Sequence, residues 1–302
     1  MSEMESIAGV QTSAPGLDYT HVSLTQQMDT QNVRHFELDV FADPAGGLFR
    51  DYAALKMLNR DTAQPGLDQP GYKVLHIQDI DPLSVCLTLV ECLTEIKAWS
   101  TANSHHVPMM ISIQVSEDPI IDPLALGFTT PVQADLTELE AEIRSVFTVD
   151  NNALNASDII MPNHIMALGN QTDLRTTVTT VGWPTLAQTR GKVIFTLQGP
   201  GGINTRYANG DATLQDKLMF VFSEPSSGDC AFVLRNQVLQ PQSAGNDISS
   251  LVADGYMVRT RTDAITIEAR SGETTQRDAA IGQGQSTSGA QYISTDYPAT
   301  LS

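Results

Sequence analysis

Seven short stretches are apolar and rich in strand-forming residues, which predicts strands at 36–40, 73–77, 107–115, 192–198, 218–222, 257–261 and 291–295. Between them the apolar spacing switches to a helical period. Leu89, Cys92, Leu93, Ile96 and Trp99 share one face within 83–100, and Leu136, Leu139, Ile143 and Phe147 do so within 135–147. Shorter helices are expected at 23–32, 184–190 and 247–254, and a polar one with a frayed end at 272–288. Strands alternating with helices imply right-handed βαβ units and a parallel sheet. Seven strands in this length of chain point to a distorted α/β barrel of the TIM type that is one strand short. A helix pattern at 23–32 precedes the first strand, and the weak apolar run Ser6 to Val10 is all that lies upstream. The expectation is one domain over 1–302, with 1–16 poorly ordered and the N-terminal strand missing. Loops at 42–72, 116–133, 148–182 and 199–216 follow strands or the helices after them, where a barrel carries its site.

Polar residues interrupt two of these strands. In Phe36-Glu37-Leu38-Asp39-Val40 the two acids share one face and the apolar residues fill the other. Like charges two residues apart on a strand repel unless a cation or water separates them. A pair of solvated edge charges would give the same pattern. Gln114, at the end of the strand 107–115, offers a neutral oxygen as a third ligand, with Glu117 and Asp118 just beyond. His76 closes the second strand and is followed by Asp79 and Asp81. A histidine held by a carboxylate can give a proton to a leaving oxygen. Arg259 and Arg261 alternate on a late strand, and Arg261 at its end could bind a phosphate, with salt bridging to Asp263 or Glu268 as the structural alternative. His105 and His106 read as exposed turn residues, His21 and His164 show no partner pattern, and His35 could share the face of Glu37.

Charge narrows the function. A formal net charge of −18 excludes a nucleic-acid binder, which needs a basic face. It also gives no attraction to an anionic membrane, so work on an anionic head group needs a local cation. Peripheral membrane contact stays open, as does the oligomeric state. No apolar run is long enough to span a bilayer, and Met1 to Ala14 lacks the apolar core of a signal peptide. Zinc is disfavoured because no second histidine stands at a helical offset. Gly199-Pro200-Gly201-Gly202 lacks the lysine of a phosphate-cradling loop, and no Gly-x-Ser-x-Gly nucleophile turn occurs. The three cysteines by count alone are equally consistent with reduced thiols and with a Cys86–Cys92 bridge.

Several segments together resemble the calcium-dependent phosphoinositide-specific phospholipase C family of bacterial and fungal type. They are Leu17-Asp18-Tyr19-Thr20-His21, His35-Phe36-Glu37-Leu38-Asp39-Val40-Phe41-Ala42-Asp43-Pro44, and Lys73-Val74-Leu75-His76-Ile77-Gln78-Asp79-Ile80-Asp81. Gly182-Trp183-Pro184-Thr185-Leu186, Arg190-Gly191-Lys192-Val193, Val258-Arg259-Thr260-Arg261 and Ser294-Thr295-Asp296-Tyr297-Pro298 add weaker support. The resemblance implies a TIM-type barrel that cleaves the glycerol–phosphate ester of a phosphoinositide, or a related phosphodiester, with Ca2+. In it, Glu37 and Asp39 fall at calcium-ligand positions, Gln114 at a third that is usually acidic, and His76 at the second catalytic histidine. It also implies the Cys86–Cys92 disulfide and export of the full-length protein, to the extracellular or periplasmic space; a true start at Met1 would mean the cytoplasm. The family's opening Thr-His-Asn-Ser-Tyr-type motif, with the first catalytic histidine, has no counterpart before Glu37. The expectation is a start internal to the full protein, with activity impaired. The alternative is a non-catalytic barrel that binds a phosphoinositide or sugar phosphate. A glycerophosphodiester phosphodiesterase is a poorer match, because its His-Arg-Gly opening is absent.

Overall fold

The computed structural model describes residues 19–298 except 58, 60–63, 65, 82, 123–124, 264–266 and 283–287. The expectation for residues 1–16 therefore lies outside the described residues. The fold is mixed α/β. Its strands are β1 His35–Phe41, β2 Lys73–Val74, β3 Met109–Val115, β4 Ile159–Ile160, β5 Val193–Gln198, β6 Phe220–Val221, β7 Phe232–Leu234, β8 Met257–Arg261 and β9 Tyr292–Ser294. β1, β3 and β5 are parallel neighbours, with β4 and β6 both pairing parallel to β5. A second parallel sheet runs β7-β8-β9. A single bridge, Phe222 to Phe232, joins the two sheets. At the far margin β9 faces β1 through side chains, the rings of Tyr292 and His35 lying 6.0 Å apart. No hydrogen-bonded ladder links those two strands among the described residues, so closure into a barrel is not seen there.

Strict register gives the central strands two unlike faces. Phe36, Ile111 and Phe195 are partners across β1, β3 and β5, and so are Leu38, Ile113 and Leu197. All six are buried in one apolar cluster with Leu93 and Ile96 of α1 (Leu89–Ala102) and Leu139 and Ile143 of α2 (Leu136–Val146). Each such side chain stabilises the fold by roughly 1.5–3 kcal/mol. The alternate residues form polar rows, Glu37-Ser112-Thr196 and Asp39-Gln114-Gln198. Local chemistry sets the helix starts. Thr88 accepts a hydrogen bond from the Glu91 backbone, and Asp135 accepts from Thr137 and Glu138.

Three expectations need correction. The run 73–77 is not a parallel strand: β2 spans two residues and pairs antiparallel to the end of β1, Val40 with Val74 and Phe41 with Lys73. Its apolar run reflects burial of Val74 and Leu75 beside β1. Strands β4 and β7, of two and three residues, were not anticipated. Three of the loops contain short helices, at Ala53–Met57, Pro162–Met166, Leu174–Thr180 and Ile203–Ala208. The helix expected at 272–288 covers Thr275–Ile281, and 283–287 lie outside the described residues. The chain joins Cys86 to Cys92 in a disulfide, and Cys230 is free and buried.

Candidate active site

The polar rows open into a cavity of about 1180 Å³ that Glu37, Asp39, His76, Gln114 and Arg261 all line. Parallel pairing brings the first of these together. Asp39, Gln114 and Gln198 stand at one level because their strands are in register, Asp39 opposite Gln114 and Gln114 opposite Gln198. Gly199 follows directly, and a Cβ there would lie 2.5 Å from the Val115 carbonyl oxygen, so only glycine allows β5 to leave beside β3.

Glu37 is heavily engaged. Arg259 Nη2 donates to its Oε2 at 2.7 Å and Gln198 Nε2 at 2.9 Å. Arg261 Nη2 lies 3.8 Å from the other oxygen, Oε1. Arg259 is 2% exposed and also donates to Asn236 Oδ1 at 2.6 Å. Both arginines turn to Glu37. Asp263 instead accepts from the hydroxyls of Thr262 and Thr295.

Asp39 is the opposite case. Its Oδ1 is buried without a hydrogen-bond partner. Burial, reinforced by the Glu37 charge, pushes its carboxyl up to about 7. Gln114 accepts from Gln198 Nε2 at 3.3 Å. The donors can be tested for their fit to calcium. Glu37, Asp39 and Gln114 offer only oxygen, the donor that hard divalent cations take, and the orphaned Asp39 oxygen is the kind of atom such a cation would satisfy. The set fits calcium, with one negative charge fewer than three acids would supply. No group of three acid, histidine or cysteine side chains placed for a metal occurs among the described residues. Glu117 is not in reserve as a ligand: Arg206 Nη1 binds it at 3.1 Å and the Ala134 backbone at 2.7 Å.

His76 does not end a strand. It lies in the loop after β2, with its side chain 40% exposed and Nδ1 donating to Asp81 Oδ2 at 3.0 Å. That bond, aided by the Asp39 charge, raises its pKa. The loop is anchored on both sides. Buried Lys73 pairs with Asp43 at 3.3 Å, and buried Asp79 accepts from the backbones of Ala53 at 3.1 Å and Thr129 at 2.5 Å.

Other residues escaped the sequence reading or were set aside in it. Gln198 carried a visible signal, since it is the polar last residue of an apolar strand, as Gln114 is the polar next-to-last of another. His21 and Asp296 had none, because they come together from opposite ends of the chain. Burial lowers the His21 pKa while Asp296 opposes that. His35 does share the face of Glu37, reaching Ser112 Oγ at 3.3 Å. Burial and the two arginines lower its pKa to about 3. His106 is buried, contrary to expectation, with Nε2 2.8 Å from Ser100 Oγ.

A family model described as Phosphoinositide phospholipase C, Ca2+-dependent, matches residues 1–302. The chain belongs to that family. Among solved structures it is similar to a calcium-dependent phosphoinositol-specific phospholipase C from the Gram-negative bacterium Pseudomonas sp., at 16% identity and a TM-score of 0.52 over 89% of this chain and 87% of that one. A myoinositol complex of the Pseudomonas protein matches at 17% identity and a TM-score of 0.51, covering 83% of this chain and 80% of that one. A Ca2+-dependent phosphatidylinositol-specific phospholipase C from Streptomyces antibioticus matches at 15% identity and a TM-score of 0.54, covering 91% and 89%. At these identities the structural likeness speaks for the fold. No curated protein sequence matches the chain. Ca2+ is the cofactor on which the family depends.

Proposed function

We propose that this chain is a phosphoric diester hydrolase of the phospholipase C type, acting with calcium on a phosphoinositide or a related phosphodiester. The convergence of Glu37, Asp39, Gln114, His76 and Arg261 on one cavity supports this reading. Glu37, Asp39 and Gln114 would hold the calcium, which when bound supplies positive charge to the phosphoryl oxygens. Arg261, 37% exposed and only loosely paired, is the guanidinium free enough to take a phosphate oxygen. His76, oriented and kept protonated by Asp81, donates a proton to the leaving glycerol oxygen as the ester bond breaks. The nucleophile is a hydroxyl of the inositol ring, and one of the two acids, Glu37 or Asp39, takes its proton.

We extend the proposal to the fold, as a barrel whose first strand belongs between β9 and β1, and to the compartment, as an oxidising extracellular or periplasmic one that suits the Cys86–Cys92 bridge. The test is release of water-soluble inositol phosphate from phosphatidylinositol vesicles, with added calcium and with chelator. Calcium-dependent release that His76→Ala abolishes is expected. Binding of phosphatidylinositol without release, by a folded protein at saturating calcium, would instead establish the non-catalytic binder.

A further inference from the structure

Two acids on one strand should attract a divalent cation, yet here their charge is already spent. Arg259 sits 2.7 Å and Arg261 3.8 Å from the two oxygens of Glu37. Gln114 and Gln198, the side chains level with Asp39, are neutral. Counted together, Glu37, Asp39, Arg259 and Arg261 sum to zero before any metal arrives, while Asp81, Asp263 and Asp296 line the same cavity farther from the strand. Arg259 cannot swing away, because it is 2% exposed and its other nitrogen donates to Asn236 at 2.6 Å. A guanidinium fixed against a ligand carboxylate does two opposing things. It holds Glu37 in one orientation, which helps the metal. It also places a permanent positive charge a few ångströms from a doubly charged ion in a poorly screened site, which opposes the metal. Coulomb energy scales with the product of the charges, so the second effect outweighs the orientation of one side chain.

We infer that Arg259 is a charge brake on the calcium site, holding its affinity far below what Glu37 and Asp39 would otherwise give. Calcium sites span many decades of affinity through ligand charge count and rigidity, and a fixed positive charge against a ligand carboxylate moves a site toward the weak end. Arg261 acts in the same sense but less strongly, being farther from Glu37 and partly in solvent. The inference rests on the proposed calcium role of Glu37 and Asp39 and predicts an unusual sign: removing a buried, well-bonded arginine should tighten metal binding.

The test is calorimetric titration of the full chain with calcium chloride at pH 8, for wild type, Arg259→Met, Arg259→Lys and Arg261→Met, with each fold checked by circular dichroism. Arg259→Met is expected to bind at least about tenfold more tightly and Arg261→Met a few-fold, while Arg259→Lys, which keeps the charge, stays near wild type. The gain must vanish in Arg259→Met combined with Asp39→Asn. Unchanged or weaker binding in Arg259→Met overturns the brake, as does equal tightening by Arg259→Lys. Should Arg259→Met fail to fold, Arg261→Met decides by the same signs. If wild type binds calcium and no variant tightens, the brake falls and the proposed function stands. If neither wild type nor any variant takes up calcium, both fall.

Discussion

Replacing Asp39 by asparagine should make this protein more stable in alkaline solution and clearly less so in acid. The carboxyl sits at about 7 in the folded chain against an ordinary 3.8, because burial and the neighbouring Glu37 disfavour its charge. An acid whose pKa rises on folding binds its proton more tightly in the native state. Its ionisation therefore costs nothing below pH 3.8, costs more as pH rises from there, and costs the full amount above pH 7. Three pKa units correspond to about 4 kcal/mol at 1.36 kcal/mol per unit. That is an upper bound, since the asparagine amide needs a partner of its own. A gain of roughly 1–3 kcal/mol at pH 8 is expected, or several degrees in Tm for a chain of this size. The assay is thermal unfolding of wild type and Asp39→Asn, without calcium, at pH 5 and pH 8. Equal shifts at the two pH values, or destabilisation confined to pH 8, would refute the account of Asp39 as a strained, unpartnered charge. The same variant should lose measurable calcium binding, because the orphaned oxygen it removes is the one best placed for the ion.

Three further outcomes follow from the geometry. Asp81→Asn removes the hydrogen bond that holds the His76 pKa up, so the alkaline limb of the pH–rate profile should move to lower pH while His76→Ala costs about 10²–10⁴ in kcat; an unmoved limb would separate His76 from proton donation. Reducing Cys86–Cys92, which closes a short loop at the start of α1, should cost roughly 2 kcal/mol, read as a lower midpoint in urea with and without reductant. Glu117→Gln should leave calcium affinity within about a factor of two, since that side chain is committed to Arg206 and the Ala134 backbone, and a large loss would restore it as a ligand.

Much of the site's raw material could be read directly. The acids of Glu37-Leu38-Asp39 break an apolar strand, and the β period alone puts them on one face. Gln114 stands next to last in the following strand, and Arg261 ends a later one. Short-range chemistry likewise announced α1 and α2, whose apolar faces and capping residues lie within a few turns of each other. His76 was found for a partly mistaken reason. Its apolar neighbours suggested a barrel strand, whereas Val74 and Leu75 are buried by a brief antiparallel pairing and the histidine stands in the loop beyond.

Sequence by itself determined which residues could do chemistry and which faces would be apolar, because those follow from side-chain identity and a period of two or 3.6. The tertiary structure alone decided how those residues are spent. Arg259 and Glu37 are 222 positions apart in the chain, yet meet at 2.7 Å, and the Arg259 side chain could equally have turned to an acid nearby. His21 and Asp296 come from opposite ends to the same cavity. Partner choice among distant charges depends on strand register and on which groups are shielded from water. Neither is written in local spacing, and here they turn a pair of acids on one strand into one neutralised carboxylate and one left without a partner.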